Sequence, residues 1–284
     1  MNKLFQIGDL IFSLTCPEEL LLPDNFLLFE RKQGRPEYTY QIRITDQLPL
    51  PEGRIIARRS DLTVYKTISG ESRLIGIKGQ NNYYACYQEV SDRQAEVLLA
   101  VREITDLHID PVFVSLFALE RRVITHNCLI LHCAYMVYQE KAILFSAPSG
   151  TGKSTQAELW ERYRGSRTVN GDRALLQKIN GQWTAGGWPV CGSSDICKLE
   201  DTPVHAIVML QQGKENQIEK LSPVQAFSQL YSQVTVNQWN HEFVLCAMDI
   251  IEDLIRQVPI YQLTCNMTEN AVKCLENVLF IEKN

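Results

Sequence analysis

The sequence is short of several features, and each shortage closes off a class of protein. No apolar run reaches the ~18 residues that span a bilayer. The opening Met1-Asn2-Lys3-Leu4-Phe5 turns acidic and polar within a few positions, without the apolar core or small-residue cleavage site of a secretory signal. The chain therefore reads as cytoplasmic, with no membrane partner. Long basic runs are missing too. The nearest are the pairs Arg58-Arg59 and Arg121-Arg122, in a chain of net charge −5 and pI about 5.6. Tracking a phosphate backbone takes a basic stripe, so no nucleic-acid partner is expected. There are nine cysteines, yet no two show the spacing of a zinc knuckle or a dithiol redox motif. Their odd number and the length of the chain favour reduced, mostly buried thiols. Internal repeats and low-complexity segments are absent as well.

The 284 residues, 45% of them hydrophobic, can bury one large core or two ordinary ones. Residues 1–108 read as a β-rich N-terminal domain. Leu10–Leu14, Tyr38–Ile44 and Leu62–Ile68 are short, rich in β-branched and aromatic residues, and partly alternate polar with apolar. Clusters such as Pro51-Glu52-Gly53 and Ser69-Gly70-Glu71 supply turns. No chemical motif occurs in this half. Val112, Leu116, Leu119 and Val123 then predict a linking helix over Pro111–His126. Residues 109–284 change character. Strands are expected at 129–138, 142–146, 174–179, 206–210 and 260–264. Helices are expected at 153–164, 243–258 and 268–279. Alternating strands and helices argue for an α/β layered domain.

Chemistry enters at Ala147-Pro148-Ser149-Gly150-Thr151-Gly152-Lys153-Ser154-Thr155. This is the phosphate-loop pattern of a small residue, four spacers and Gly-Lys-Ser, with Ala147 where Gly is usual. Gly150 and Gly152 let the backbone curl so that successive N–H groups point at phosphate oxygens. The following helix adds its free N–H groups and the positive end of its dipole. Lys153 can reach the β and γ phosphates, and the Ser154 hydroxyl is placed for Mg²⁺. Ser149 to Thr155 are therefore the candidate nucleotide-binding residues. The apolar Ala142–Phe145 before the loop and the helix former after it supply the strand–loop–helix setting that the pattern needs.

A phosphate loop usually has an acidic partner for the metal. The apolar strand 206–210 ends in Gln211-Gln212 rather than an acid. The better candidate is Asp172, in Thr168-Val169-Asn170-Gly171-Asp172-Arg173, far enough beyond Lys153 for one helix and a return strand. Asn170-Gly171 is also a favoured hairpin dipeptide. A second candidate segment is Gly186-Gly187-Trp188-Pro189-Val190-Cys191-Gly192-Ser193-Ser194, whose glycines and hydroxyls suit a loop facing the transferred phosphate or its acceptor. No base partner for Cys191 is apparent. Lys198 and Arg173 are further candidates for positive charge.

Residues 129–180 resemble the catalytic domain of the HPr kinase/phosphorylase superfamily, whose nucleotide fold is shared with phosphoenolpyruvate carboxykinase. The resemblance rests on Leu131-His132 in a strand, on Ile143–Thr155, and on Gly171-Asp172 after the helix. It implies an α/β phosphate-loop kinase domain of that type, with ATP and Mg²⁺ as cofactors and a serine on a protein or peptide as acceptor. It also implies Ser154 and Asp172 at the metal, and Lys153, Asp172 and His132 as catalytic residues. The family pair is two adjacent carboxylates; this chain keeps Asp172 and has Gly171 in the other place. Base work thus stays open between Asp172 and His132, and a phosphorolysis activity loses support. Residues 1–108 look more like the kinase-like proteins of peptide-modification systems, including the kinases of lasso-peptide precursors, and are expected to recognise the acceptor. The competing readings are a small-molecule hydroxyl kinase and a non-catalytic nucleotide-binding regulatory protein. A homo-oligomer is left open.

Overall fold

The computed structural model describes residues 1–79, 82–101, 107 and 109–281. The chain divides into two compact units, Met1–Arg122 and Val123–Asn284, and its architecture is mixed α/β with large sheets.

The N-terminal unit is built on one nine-stranded sheet in the order β3-β1-β2-β4-β9-β8-β7-β6-β5. Its elements are β1 (Asn2–Ile7), β2 (Leu10–Thr15), α1 (Asp24–Leu27), β3 (Glu30–Arg31), β4 (Tyr38–Thr45), β5 (Arg54–Arg58), β6 (Leu62–Lys66), β7 (Glu71–Gly76), β8 (Tyr83–Ser91), β9 (Gln94–Ala100), α2 (Asp110–Ser115) and α3 (Glu120–Val123). Alternation sets the buried face: Ala95, Val97 and Leu99 of β9 are buried while their neighbours are half-exposed.

The expected linking helix is not continuous. It is broken into α2, α3 and a 3-10 turn at Ile124–His126, with Ala118 at φ +48° interrupting it, a conformation no regular helix contains. Its first part belongs to the N-terminal unit. The Phe26 ring lies 5.0 Å from Phe113 and 5.5 Å from Phe117, and Phe117 lies 5.1 Å from Tyr40. Aromatic burial of this kind draws the segment onto the sheet. The two compact units divide after Arg122; residue 108, where the sequence places the domain boundary, lies outside the described residues.

Arginines and glutamates of the same unit form a buried network. Arg73 bonds Glu71 at 2.6 Å and Glu120 at 2.7 Å, Arg121 bonds Glu71 at 3.0 Å and Glu89 at 2.9 Å, and Arg122 also bonds Glu89. Burial pushes the Glu89 carboxyl up, but Arg121 and Arg122 outweigh it and hold the group below its ordinary value.

The C-terminal unit contains β10 (Leu129–Tyr138), β11 (Lys141–Ser146), α4 (Lys153–Arg164), β12 (Arg167–Asn170), β13 (Arg173–Ile179), β14 (Gln182–Gly186), β15 (Thr202–Gln212), β16 (Gln217–Lys220), α5 (Pro223–Tyr231), α6 (His241–Gln257), β17 (Ile260–Cys265) and α7 (Glu269–Leu279). The strands run β11-β10-β13-β14-β15-β17-β16, with β12 on β10 and β11 also parallel to β15. Two cores lie on opposite faces. Leu131, Cys133 and Tyr135 of β10 with Leu144 of β11 pack with Leu230 of α5 and Ile251 and Leu254 of α6. Ala134, Met136, Ile143 and Phe145 pack with Trp160 of α4 and Val272 and Leu275 of α7. Coverage of both faces is why Ala142–Phe145 is apolar without alternation. Strands β14 and β16 and helix α5 are additions to the sequence expectation; the first two are short, mixed segments with weak periodicity.

Replacing Glu89 by Gln leaves buried guanidinium groups short of an anion. A loss of about 3–5 kcal/mol is expected, measurable in the urea unfolding of the N-terminal unit's transition.

Candidate active site

The loop between β11 and α4 is held from both ends. Ser146 Oγ donates to His132 O at 2.7 Å, tying the end of β11 to β10. Gly150 and Gly152 have φ of +79° and +114°, values that other residues rarely adopt. Gly152 caps α4 without any side-chain bond, so the first-turn N–H groups remain available to a ligand. Lys153 is 7% exposed and its Nζ donates to Ala147 O at 3.1 Å and to Pro148 O at 3.5 Å. Burial pushes this amine down, and the Asp172 carboxylate opposes the shift. From the neighbouring parallel strand, Gln212 Nε2 donates to Gly150 O at 3.4 Å and Thr151 O at 3.3 Å. The strand end that lacks an acid thus bears an amide that grips the loop.

Asp172 arrives by a different route. Strand β12 pairs with Tyr135–Val137 of β10, whereas β13 pairs with Leu129–His132. The chain steps from one to the other through Asn170-Gly171-Asp172, so this is not a hairpin turn: both flanking strands use β10 as partner. Asn170 is fully buried. Its Oδ1 accepts from the N–H groups of Asp172 at 2.9 Å and Arg173 at 2.8 Å, and its Nδ2 donates to Trp188 O at 2.9 Å and Val190 O at 3.1 Å. The β10–β13 register sets His132 opposite Arg173. His132 Nε2 lies 3.4 Å from Asp172 Oδ1, and Arg173 Nε lies 3.1 Å from Asp172 Oδ2. Arg173 is steadied in turn by Thr235 Oγ1 at 3.4 Å. Burial raises the Asp172 carboxyl, but the His132 hydrogen bond and the Arg173 charge prevail and keep it below its ordinary 3.8.

A cavity of about 400 Å³ joins these parts. Of the residues singled out in the sequence, His132, Ser149, Gly150, Gly152, Lys153, Ser154, Thr155 and Asp172 line it. Thr151 contributes through its carbonyl bond to Gln212 instead. The Gly186–Ser194 segment reaches the cavity with Cys191, Ser193 and Ser194. Lys198 does not; its Nζ is spent on Thr168 O at 2.8 Å. Sequence reasoning missed Asn170 and Gln212 as supports. Asn170 carried a signal, the Asn-Gly-Asp turn composition; Gln212 carried none. Among the described residues no three His, Cys, Asp or Glu side chains converge as a metal cage. One carboxylate and one hydroxyl beside a phosphate loop is a donor set that suits Mg²⁺, which takes few protein ligands and completes its shell with phosphate and water.

The family model of the SynChlorMet cassette protein ScmC matches residues 100–280. No curated protein sequence matches the chain. Among solved structures, the Hpr(Ser) kinase/phosphatase from Coxiella burnetii is similar at 12% identity, covering 52% of this chain and 87% of its own, with a TM-score of 0.32. No helix among the described residues is long and apolar enough to cross a membrane.

Two outcomes follow from the Asn170–Asp172 turn. Asn170→Ala removes the acceptor of the Asp172 and Arg173 N–H groups and a donor to Val190 O, while Trp188 O keeps Cys197 Sγ; each group left unpaired costs about 1–3 kcal/mol, read as a lowered urea midpoint. Because folding lowers the Asp172 pKa, its contribution to stability is complete well above 3.8 and disappears as pH falls through the lowered value. The melting-temperature gap between the native chain and Asp172→Asn should therefore be constant well above pH 3.8 and narrow as pH falls below it.

Proposed function

The chain belongs to the SynChlorMet cassette protein ScmC family, and from the chemistry of its cavity we propose that it is a kinase. It binds ATP with Mg²⁺ and transfers the γ-phosphoryl group to a hydroxyl, that of a serine in a protein or peptide. The observation that supports this most is the His132–Asp172 pair, 3.4 Å apart, in the same cavity as Lys153 and Ser154. Phosphoryl transfer needs positioning, charge and a proton acceptor, and this pair adds the acceptor to the phosphate site.

The residues fit the cofactors. Open space surrounds the Cα of Gly150 and Gly152 on the side a Cβ would take, so phosphate oxygens can approach the backbone there. Lys153 supplies a point charge to the β and γ phosphates, swinging from the carbonyls it now bonds. The Ser154 hydroxyl and the Asp172 carboxylate would hold Mg²⁺, which would supply positive charge to offset that of the phosphates. Asp172 and His132 together receive the proton of the acceptor hydroxyl, and Arg173 keeps Asp172 ionised and oriented.

A peptide or protein serine as acceptor accords with the resemblance to HPr-kinase-like enzymes and to lasso-peptide precursor kinases. On this reading the N-terminal unit recognises the acceptor, and the reaction takes place in the cytoplasm.

The test is transfer from γ-labelled ATP with Mg²⁺ to serine-containing peptides and proteins, alongside Lys153→Ala and Asp172→Asn. Asp172→Asn should lower the rate by about 10²–10⁴-fold while nucleotide still binds, and Lys153→Ala should weaken nucleotide binding itself. Bound nucleotide with no label on any acceptor would return the chain to the regulatory, non-catalytic reading.

A further inference from the structure

Two turns of the C-terminal unit lie directly against each other at the cavity. One is Asn170-Gly171-Asp172. The other is the 3-10 turn Gly192–Ser194. A Cβ built on Gly171 would lie 2.1 Å from Ser194 Oγ and 2.3 Å from Ser194 Cβ, where ordinary contact begins at 3.4 Å. The contact runs both ways. Gly192 has φ +60°, and a Cβ there would lie 3.2 Å from the Cβ, Cγ and Oδ1 of Asp172. Ser194 is not loose: its Oγ donates to Cys191 O at 2.7 Å and accepts from Ile196 N at 3.3 Å. Asn170 Nδ2, bonded to Val190 O at 3.1 Å, fastens the two turns at their base.

We infer that Ser194 is a positioning residue for Asp172, acting through Gly171. Its side chain occupies the space that any side chain at position 171 would need. The cavity is thereby limited to a single carboxylate at this turn, and the polar group beside it is a hydroxyl brought from a separate segment. Gly171 is small because Ser194 is there, and Asp172 points where it does because neither turn can shift without the other. This rests on the kinase reading for its consequence in turnover, though the contact itself does not.

Restoring a side chain at 171 must push the turns apart by about 1 Å, a displacement that at a reacting carboxylate is worth about 10²-fold in rate. The experiment compares the full-length native chain with Gly171→Ala, Ser194→Gly and the double variant. Three quantities are read for each: kcat and KM for phosphoryl transfer, affinity for a fluorescent ATP analogue, and the urea midpoint. Gly171→Ala is expected to lose about 10²-fold in kcat with nucleotide affinity unchanged. The double variant, in which the serine side chain no longer occupies the space, is expected to recover most of that loss. A merely packed pair would move the urea midpoint and leave kcat alone.

Native kcat in Gly171→Ala, or a double variant as slow as Gly171→Ala, overturns the inference. If Gly171→Ala fails to fold while the double variant folds and transfers phosphate, the interlock stands. The urea midpoints need no turnover and keep the two readings apart. Non-additive midpoints in a chain that phosphorylates nothing would sink the kinase and leave the interlock. Additive midpoints in a chain that does transfer phosphate would sink the interlock and leave the kinase.

Discussion

Strand β10 is divided between two partners along one edge: β13 pairs with its first residues and β12 with its later ones. The residues between β12 and β13 have no complete ladder to satisfy their backbone, and a buried backbone group without a partner is costly. The Asn170 side chain resolves this by accepting two N–H groups and donating to two carbonyls across the Trp188–Val190 segment. Everything chemical in the C-terminal unit depends on that arrangement. It turns the Asp172 side chain toward the phosphate loop, sets Arg173 across from His132, and draws the Cys191–Ser194 turn into the cavity wall.

The electrostatics follow from the same placement. Asp172 is a partly buried carboxylate, and burial alone would favour its protonated form. The His132 hydrogen bond and the Arg173 guanidinium reverse that preference. Lys153 experiences the mirror problem: burial pushes its amine down and Asp172 counters. The carboxylate thus supports the charged form of the lysine across the cavity, a site with a cation for phosphate and an anion for metal or proton. With Gly171 pressed against Ser194, there is no room for a second anion at this turn, so the balance rests on one carboxylate.

The N-terminal unit shows where periodicity misleads. Val112, Leu116, Leu119 and Val123 do fall at helical spacing, yet the segment is broken by Ala118 at φ +48°. What organises it is the aromatic group of Phe26, Phe113, Phe117 and Tyr40, which joins residues far apart in the chain. A pattern within a window of a dozen residues contains no record of a ring from another strand, so the sequence reads one continuous helix where the chain is broken.

Local features are legible in the order of the residues alone. The phosphate loop is a run of nine residues whose function follows from its own backbone, and the strand before it and helix after it are strongly patterned. Asp172 and His132 can be named because residue type and spacing restrict the candidates. By itself, then, the sequence determined that there is a phosphate-binding loop and which residue types stand near it. Only the tertiary structure decided what surrounds them. Gln212 grips Gly150 from 62 residues away, and Asn170 binds Trp188 and Val190 across 18 and 20 residues. Ser194 fills the space over Gly171. These contacts depend on strand pairing between distant segments. Their physical content, a shared strand edge and a side chain filling the space over a glycine, has no counterpart in the order of the residues.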